Sequence, residues 1–248
     1  MSDPTKSNGN AGVSRRKVLE CMTWAGTGVL WTISGGVPLS LGIIDGALAA
    51  QASKLTFLQI SDSHIGFDKP ANPNVIGTLE EAIAKVKSLP AKPSFMIHTG
   101  DITHLSKPAE FDNANRVISQ AGLDVHYVPG EHDFLDEGMK LYHDHYGKNA
   151  KGAGWYSFDA DGVHFVGLVN VVNLKAGGLG NLGEEQLKWL ADDLKGKSAE
   201  TPIVVFAHIP LCPMKVPDDK LRSLLGITEV NFVRGQQRLA IIDKPLQG

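Results

Sequence analysis

Cysteine is scarce in this chain, which has two instances among its 248 residues, Cys21 and Cys212. We expect Cys21 to be lost with an N-terminal leader, and Cys212 then has no partner for an intrachain disulfide. Since Cys212 stands between prolines at 210 and 213, we interpret it as a small buried residue rather than a ligand or a nucleophile.

An excess of charge of either sign is also missing. Lysine and arginine number 24 against 27 aspartates and glutamates, which leaves a net charge of −3. A nearly neutral chain lacks the basic surface on which nucleic-acid binding depends, so we expect no nucleic-acid partner. The hydrophobic content of 42% and the charged content of 21% are those of an ordinary globular protein.

The first 49 residues have the order of an export signal. Adjacent arginines at 15 and 16 precede a Gly-rich apolar stretch over residues 22–44, and Ala-Leu-Ala follows at 47–49. This order predicts a twin-arginine signal peptide over residues 1–49, recognition by the twin-arginine export machinery, and a periplasmic or secreted protein. A retained membrane anchor and a chance pair of arginines are the alternatives. Glycine and serine lower the hydrophobicity of this stretch, so we expect no stable membrane anchor.

Strand-like and helix-like segments alternate along the rest of the chain. The apolar runs at 55–60, 95–98, 125–128 and 203–206 predict strands, and periodic segments at 75–88, 108–120, 136–146 and 184–194 predict helices. A hairpin is expected over 155–169 around Asp161-Gly162. The alternation predicts an α/β layered fold with mixed sheets flanked by helices, parallel in its first half.

Each of the four apolar runs leads into residues of the types that bind metals. These are Asp62 and His64, then Asp101, then Glu131, His132 and Asp133, and finally His208. Ligands of open α/β sheets bind beyond the carboxyl ends of the strands, so we expect these side chains to meet there. Carboxylates and imidazoles brought so close together repel one another unless cations lie between them. Any one motif alone reads as turn residues or a core histidine, but the set indicates a metal-dependent hydrolase.

The ordered set resembles the calcineurin-like metallophosphoesterase family over about residues 54–210. Carried over position by position, the resemblance implies a centre of two metal ions. Asp62 and His64 would hold the first ion, Asp101 would bridge both, and Glu131 and His208 would hold the second. Mixed imidazole and carboxylate ligands suit Mn, Fe or Zn.

The resemblance also implies the reaction. Its substrate would be a small phosphate ester, either a monoester or a diester, with cyclic nucleotides among the candidates. Water activated by the metals would attack phosphorus. His132 would stay off the metals as the acid near the leaving oxygen, and Asp133 would orient it. The sequence leaves two alternatives for His104: it borders the substrate cleft, or it has no part in the site.

One departure from the family pattern lies at Glu131, where the family usually has asparagine. Glutamate adds a negative charge and a methylene to a position that is otherwise a neutral carbonyl ligand. We expect a ligand exchange that retains activity, so Glu131→Asn should keep metal bound and alter the rate.

A second departure is the absence of the family's closing Gly-His-x-His motif, since none of the nine histidines follows His208. We therefore expect an incomplete metallophosphoesterase domain over residues 50–225 and an atypical tail over 226–248 without a convincing strand. Truncation or a changed reading frame near residue 225 would explain it, and a divergent site completed by water or another chain is the alternative. The rival function is a catalytically impaired metal- or phosphate-binding remnant, and an exported binding module is a third. Nothing in the sequence predicts an oligomeric state.

Overall fold

The computed structural model describes residues 29–34, 37–40, 55–136, 139–172, 174, 180–198, 200–209 and 239–242. The arginine pair, the Ala-Leu-Ala sequence at 47–49 and Cys212 lie outside these ranges, so the interpretations placed on them stay predictions. Among the helices that the structure describes, none combines the length and the apolar character needed to cross a membrane.

The first sheet has five strands in the order β2-β1-β3-β4-β5. They are β1 (Val29–Ser34), β2 (Val37–Ser40), β3 (Thr56–Ile60), β4 (Phe95–His98) and β5 (Val125–Tyr127). The central strands β3, β4 and β5 are parallel, with Ile60 opposite His98 and His98 opposite Tyr127. Their carboxyl ends therefore lie at the same edge, as predicted.

The second sheet has four strands in the order β6-β7-β8-β9. They are β6 (Tyr156–Ala160), β7 (Val163–Gly167), β8 (Ile203–Phe206) and β9 (Leu239–Ile242). β7 and β8 are parallel, whereas β6 and β9 pair antiparallel at the two edges. β9 corrects the expectation of a tail without a strand. Its four residues are too short a run to stand out in the sequence, and their partner is the open edge of β8.

Strands β1 and β2 lie within residues 1–49, the predicted leader. β1 pairs antiparallel with both β2 and β3. Removal of residues 1–49 would turn β3 into an edge strand with unpaired backbone groups. The assignment of this segment as an export signal stays a prediction.

Within the described ranges, four α-helices accompany the sheets: α1 (Val75–Lys87), α2 (Pro108–Ile118), α3 (Lys140–Tyr146) and α4 (Glu184–Leu194). Three of them match the predicted positions, while α3 begins four residues later than expected. The carboxylate of Asp136 accepts the Leu141 backbone N–H at 3.0 Å, so this residue caps the helix from outside instead of opening it.

Alternation along the strands separates the core into layers. Phe57, Phe95 and Phe165 belong to a buried cluster between the two sheets. Leu58 and Met96, their neighbours along the strands, pack instead with the residues of α1 and α2. On the far side, β7 and β8 pack against Leu190 of α4 and its neighbours. The result is the predicted α/β fold of mixed sheets flanked by helices, and both sheets present their strand ends to one region.

Candidate metal centre

Three of the predicted ligands converge at the ends of three strands. Asp62 follows β3, Asp101 follows β4 and His208 follows β8, so the two sheets contribute to one place. Each offers a ligand atom that lies within 4.8 Å of those of the other two. His64 joins them, with its Nε2 3.4 Å from Oδ2 of Asp101.

The backbone at the ligands adopts a conformation that is unusual for residues other than glycine. Asp62, His64 and Asp101 have φ values of 57°, 42° and 52°. Hydrogen bonds hold this geometry: the N–H of Asp62 donates to the Gly100 carbonyl at 3.0 Å, and that of His64 to the Asp101 carbonyl at 2.9 Å. Such conformations cost about 1–3 kcal/mol each and concentrate at functional sites.

Glycine allows the loops after β4 and β5 to approach each other. A Cβ atom on Gly130 would lie 2.7 Å from Cγ of Asp101 and closer still to its backbone nitrogen. A Cβ atom on Gly100, whose φ is 95°, would lie 2.6 Å from Nδ1 of His208. The Gly-Asp and Gly-Glu-His-Asp sequences therefore need their glycines for the close contact of two loops, and the contact places Asp101 at the centre.

His98 and Ser63 link the loop after β3 to the loop after β4. Nδ1 of His98 accepts the Gly100 N–H at 3.3 Å, so its Nε2 carries the hydrogen and donates to Oγ of Ser63 at 2.9 Å. The Ser63 hydroxyl in turn donates to the Ile102 carbonyl at 3.1 Å. All four groups are buried, so the chain of bonds fixes the two loops relative to each other.

Asp101 is buried and ionised at the centre of the site. Burial opposes its negative charge, but the hydrogen bond and charge of His208, with His64 behind it, outweigh burial and lower the pKa of Asp101 to about 2. Its Oδ1 also accepts the backbone N–H of His132 at 3.1 Å. A buried carboxylate between two imidazoles is suited to bridge two cations.

His208 has the arrangement typical of a metal-ligating histidine. Its Nδ1 donates to the Thr99 carbonyl at 2.8 Å. Its Nε2 consequently faces two carboxylates, 2.9 Å from Oε2 of Glu131 and 3.4 Å from Oδ2 of Asp101. A carbonyl acceptor on one ring nitrogen orients the other toward the metal. The hydrogen bond from His208 also lowers the pKa of Glu131.

The structure assigns Asp133 a different contact from the one expected. Its buried carboxylate accepts backbone N–H groups of Ile102, Thr103 and Gly130 at 2.8–3.1 Å. Nδ1 of the His132 ring donates instead to the His104 carbonyl at 2.7 Å. Asp133 thus holds the loops together and orients His132 only through the backbone, because its side chain accepts buried N–H groups of the loops after β4 and β5. Burial raises the pKa of Asp133 to about 6.

His104, which the sequence left open, lies at the site. Ring nitrogens of His64, His104 and His132 lie within 4.8 Å of one another, which makes a second group of ligand-type atoms. His104 is three residues beyond Asp101, and its backbone N–H donates to the Ile65 carbonyl at 2.9 Å. The position relative to Asp101 is the signal that could have located it.

The residues present fit metal ions. Asp62, Asp101 and His208 supply convergent oxygen and nitrogen atoms, and the Thr99 carbonyl orients the His208 ring as it would for a metal. Nε2 of His64 and Oε2 of Glu131 adjoin this group, the first 3.4 Å from Oδ2 of Asp101 and the second 2.9 Å from Nε2 of His208.

Known proteins resemble the chain in sequence and fold. A model of the calcineurin-like phosphoesterase family matches residues 55–235. The probable glycerophosphodiester phosphodiesterase GpdQ of Arcobacter nitrofigilis is 25% identical over 194 residues, which are 74% of this chain. The chain spans 64% of the length of that relative. The crystal structure of a dimetal phosphatase from Danio rerio aligns with a TM-score of 0.55 at 16% identity, over 69% of this chain and 77% of the other, and shows the shared fold.

Proposed function

Because the chain belongs to the calcineurin-like phosphoesterase family, we propose that it hydrolyses small phosphate esters with the help of two divalent or trivalent metal ions. The observation that carries this proposal is the convergence of Asp62, Asp101 and His208 from three strand ends of two sheets. Turn residues and core histidines have no reason to meet in this way.

The predicted ligands would be shared between the two ions. Asp62 and His64 would hold the first ion, Glu131 and His208 the second, and Asp101 would bridge them. When bound, the ions would activate water for attack at phosphorus and offset charge on the phosphoryl oxygens. Imidazole and carboxylate ligands together favour Mn, Fe or Zn.

His132 is the residue that would protonate the leaving oxygen. Its Nδ1 hydrogen is committed to the His104 carbonyl, so Nε2 is the nitrogen that would donate the proton. The backbone of His132 is held as well, because its N–H donates to Asp101 and its carbonyl accepts the Ser106 hydroxyl at 2.8 Å. This double attachment fixes the acid relative to the bridging carboxylate.

Hydrolysis of two chromogenic substrates tests the proposal. The metal-free full chain is titrated with Mn²⁺, and release of p-nitrophenol is followed from bis-p-nitrophenyl phosphate and p-nitrophenyl phosphate. We expect metal-dependent turnover that Asp101→Asn abolishes. The matched variant Asp161→Asn changes an aspartate in the distant β6–β7 turn and should leave the rate unchanged. The name of the Arcobacter relative supports the diester as the better substrate.

A second candidate is a metal-binding protein that no longer turns over its substrate. It is favoured by one observation, the carboxylate of Glu131 at 2.9 Å from His208, because a negative charge in place of a neutral ligand would weaken the attraction of the metals for a phosphate ester. In the same experiment, stoichiometric Mn²⁺ binding without release of p-nitrophenol would support this remnant over the enzyme.

The export of the chain is a further part of the proposal. It is supported by the arginine pair and the apolar stretch that follows it, and it implies a periplasmic or secreted enzyme. Cell fractionation of the full chain beside a variant carrying Arg15→Lys and Arg16→Lys tests it. We expect the variant to stay in the cytoplasm, and equal export of the two chains would contradict the proposal.

A further inference from the structure

The imidazoles of His64, His104 and His132 lie together on one side of the candidate metal centre. We propose that these three side chains form a separate zinc site, and that zinc bound there inhibits hydrolysis. The binding part concerns these three residues alone. The inhibitory part rests on the proposed function, in which His132 is the acid and His64 a ligand of the first metal.

The spacing of the three rings matches that of imidazoles around one ion. Their centroids are 4.8 Å (His64 to His132), 5.0 Å (His104 to His132) and 5.7 Å (His64 to His104) apart. Zinc binds imidazole nitrogen at about 2.0–2.1 Å, which puts the ring centres of a tetrahedral site about 5 Å from one another. The observed centroid distances therefore lie close to those of a three-imidazole zinc site.

The ring nitrogens are also disposed for a metal. His132 donates its Nδ1 hydrogen to the His104 carbonyl, which leaves the lone pair on Nε2 and is the usual support of a ligating histidine. Nδ1 of His64 and Nδ1 of His104 are buried and make no hydrogen bond within the described part of the chain. Buried polar atoms without a partner are costly, and a bound cation would satisfy them.

The donor atoms of the group suit zinc more than Mg²⁺ or Ca²⁺. All three side chains offer an imidazole nitrogen, which is a ligand that zinc binds well. Three neutral imidazoles with a fourth position open to water are a common zinc environment, whereas hard cations prefer oxygen. The edge-to-face contact of Phe67 with His104, at 5.2 Å between centroids, restrains the outer ring.

Occupancy of this site would disable the proposed reaction in two ways. Zinc on Nε2 of His132 takes the lone pair that must carry the acidic proton. A neutral imidazole has a single lone pair, so zinc would also remove His64 from the set that includes Asp62 and Asp101. Excess zinc should therefore act against the enzyme even when another metal supports its activity.

Zinc binding by the metal-free full chain tests the site directly. Equilibrium dialysis with Zn²⁺ is compared for the wild type, His104→Gln and the matched variant His143→Gln, which removes a histidine from α3. We expect His104→Gln to bind one zinc ion fewer, or to bind that ion at least about tenfold more weakly, while His143→Gln behaves as the wild type. Equal binding by the wild type and His104→Gln would overturn the proposal.

X-ray absorption provides a readout that does not depend on the folding of His104→Gln. In Asp62→Asn loaded with one equivalent of Zn²⁺, we expect scattering from three imidazoles. The candidate dimetal centre offers only two, His64 and His208, so a zinc shell with two or fewer would also overturn the site.

The inhibitory part has its own measurement, on enzyme loaded with Mn²⁺. Added zinc should inhibit the wild type and His143→Gln, and the zinc concentration for half-inhibition should rise at least about tenfold in His104→Gln. Equal inhibition of the three chains would overturn this part. A chain without turnover would contradict the proposed function, while the zinc stoichiometry would still decide whether the three-imidazole site exists.

Discussion

The variant Gly130→Ala tests whether close contact of two loops holds the central carboxylate in place. Gly130 has φ −98°, which any residue can adopt, so the change introduces no backbone strain of its own. The new Cβ atom would instead lie 2.7 Å from Cγ of Asp101, a distance that no real Cβ contact reaches. The loop after β4 or the loop after β5 must therefore move.

The magnitude follows from the contacts that such a movement disturbs. Overpacking of a close-packed site costs about 1–3 kcal/mol. Loss of the hydrogen bond from the Gly130 N–H to Asp133, now 2.9 Å, adds about 1 kcal/mol. Replacement of glycine by alanine also stabilises the protein by about 0.4–1 kcal/mol, because it reduces the conformational entropy of the unfolded chain. We expect the free energy of unfolding to fall by about 1–3 kcal/mol.

Urea unfolding together with metal analysis provides the assay. The matched variant is Gly183→Ala, because a Cβ atom there would have no neighbour within 4 Å. This control should stay within about 1 kcal/mol of the wild type and bind the same amount of metal, since its main effect is on a helix N-cap. Gly130→Ala should lose both stability and metal. Wild-type stability and metal content in Gly130→Ala would refute the view that the glycine contact positions Asp101.

Three further predictions concern single side chains. Glu131→Asn should keep metal bound and change the rate of hydrolysis, and loss of both metals on metal analysis would contradict this. Asp133→Asn should lower the free energy of unfolding by about 1–3 kcal/mol, because it brings an amide N–H group toward the N–H donors of Ile102, Thr103 and Gly130. Urea unfolding equal to that of the wild type would count against this role of Asp133. His164 donates to Asp159 and Asp193 at 2.7 Å each; burial opposes its charge, but the two carboxylates raise its pKa. The stabilisation that protonated His164 provides should be complete below the unfolded pKa of about 6.5 and be lost as pH rises through the higher folded pKa. His164→Gln should therefore lower the free energy of unfolding by about 3 kcal/mol at about pH 5 and by clearly less in alkaline buffer. A pH-independent difference in urea unfolding would contradict it.

The centre of the fold was predictable because β3, β4, β7 and β8 are buried along their whole length. Such strands appear as short continuous apolar runs, and the runs at 95–98 and 203–206 match β4 and β8. The carboxyl ends of the apolar runs also located the candidate ligands, because the parallel pairing of β3 with β4 brings Asp62 and Asp101 together. Spacing along the chain was sufficient for both conclusions.

Other features depend on partners that are distant in the sequence. Leu239–Ile242 forms a strand because the edge of β8 accepts it. Asp133 is turned to the backbone of the loop after β4, which lies some thirty residues earlier, and the carbonyl of His104 holds the His132 ring. A backbone acceptor has no signature in the sequence, since every residue carries a carbonyl group.

In the proposed function, Asp101 would bridge two metal ions. Anomalous diffraction from crystals of the full chain loaded with Mn²⁺ measures this most directly. We expect two peaks, each about 2.0–2.2 Å from an oxygen of Asp101, one adjoining Asp62 and the other His208. Crystals in saturating Mn²⁺ that show no anomalous peak beside Asp101 would contradict this role of Asp101.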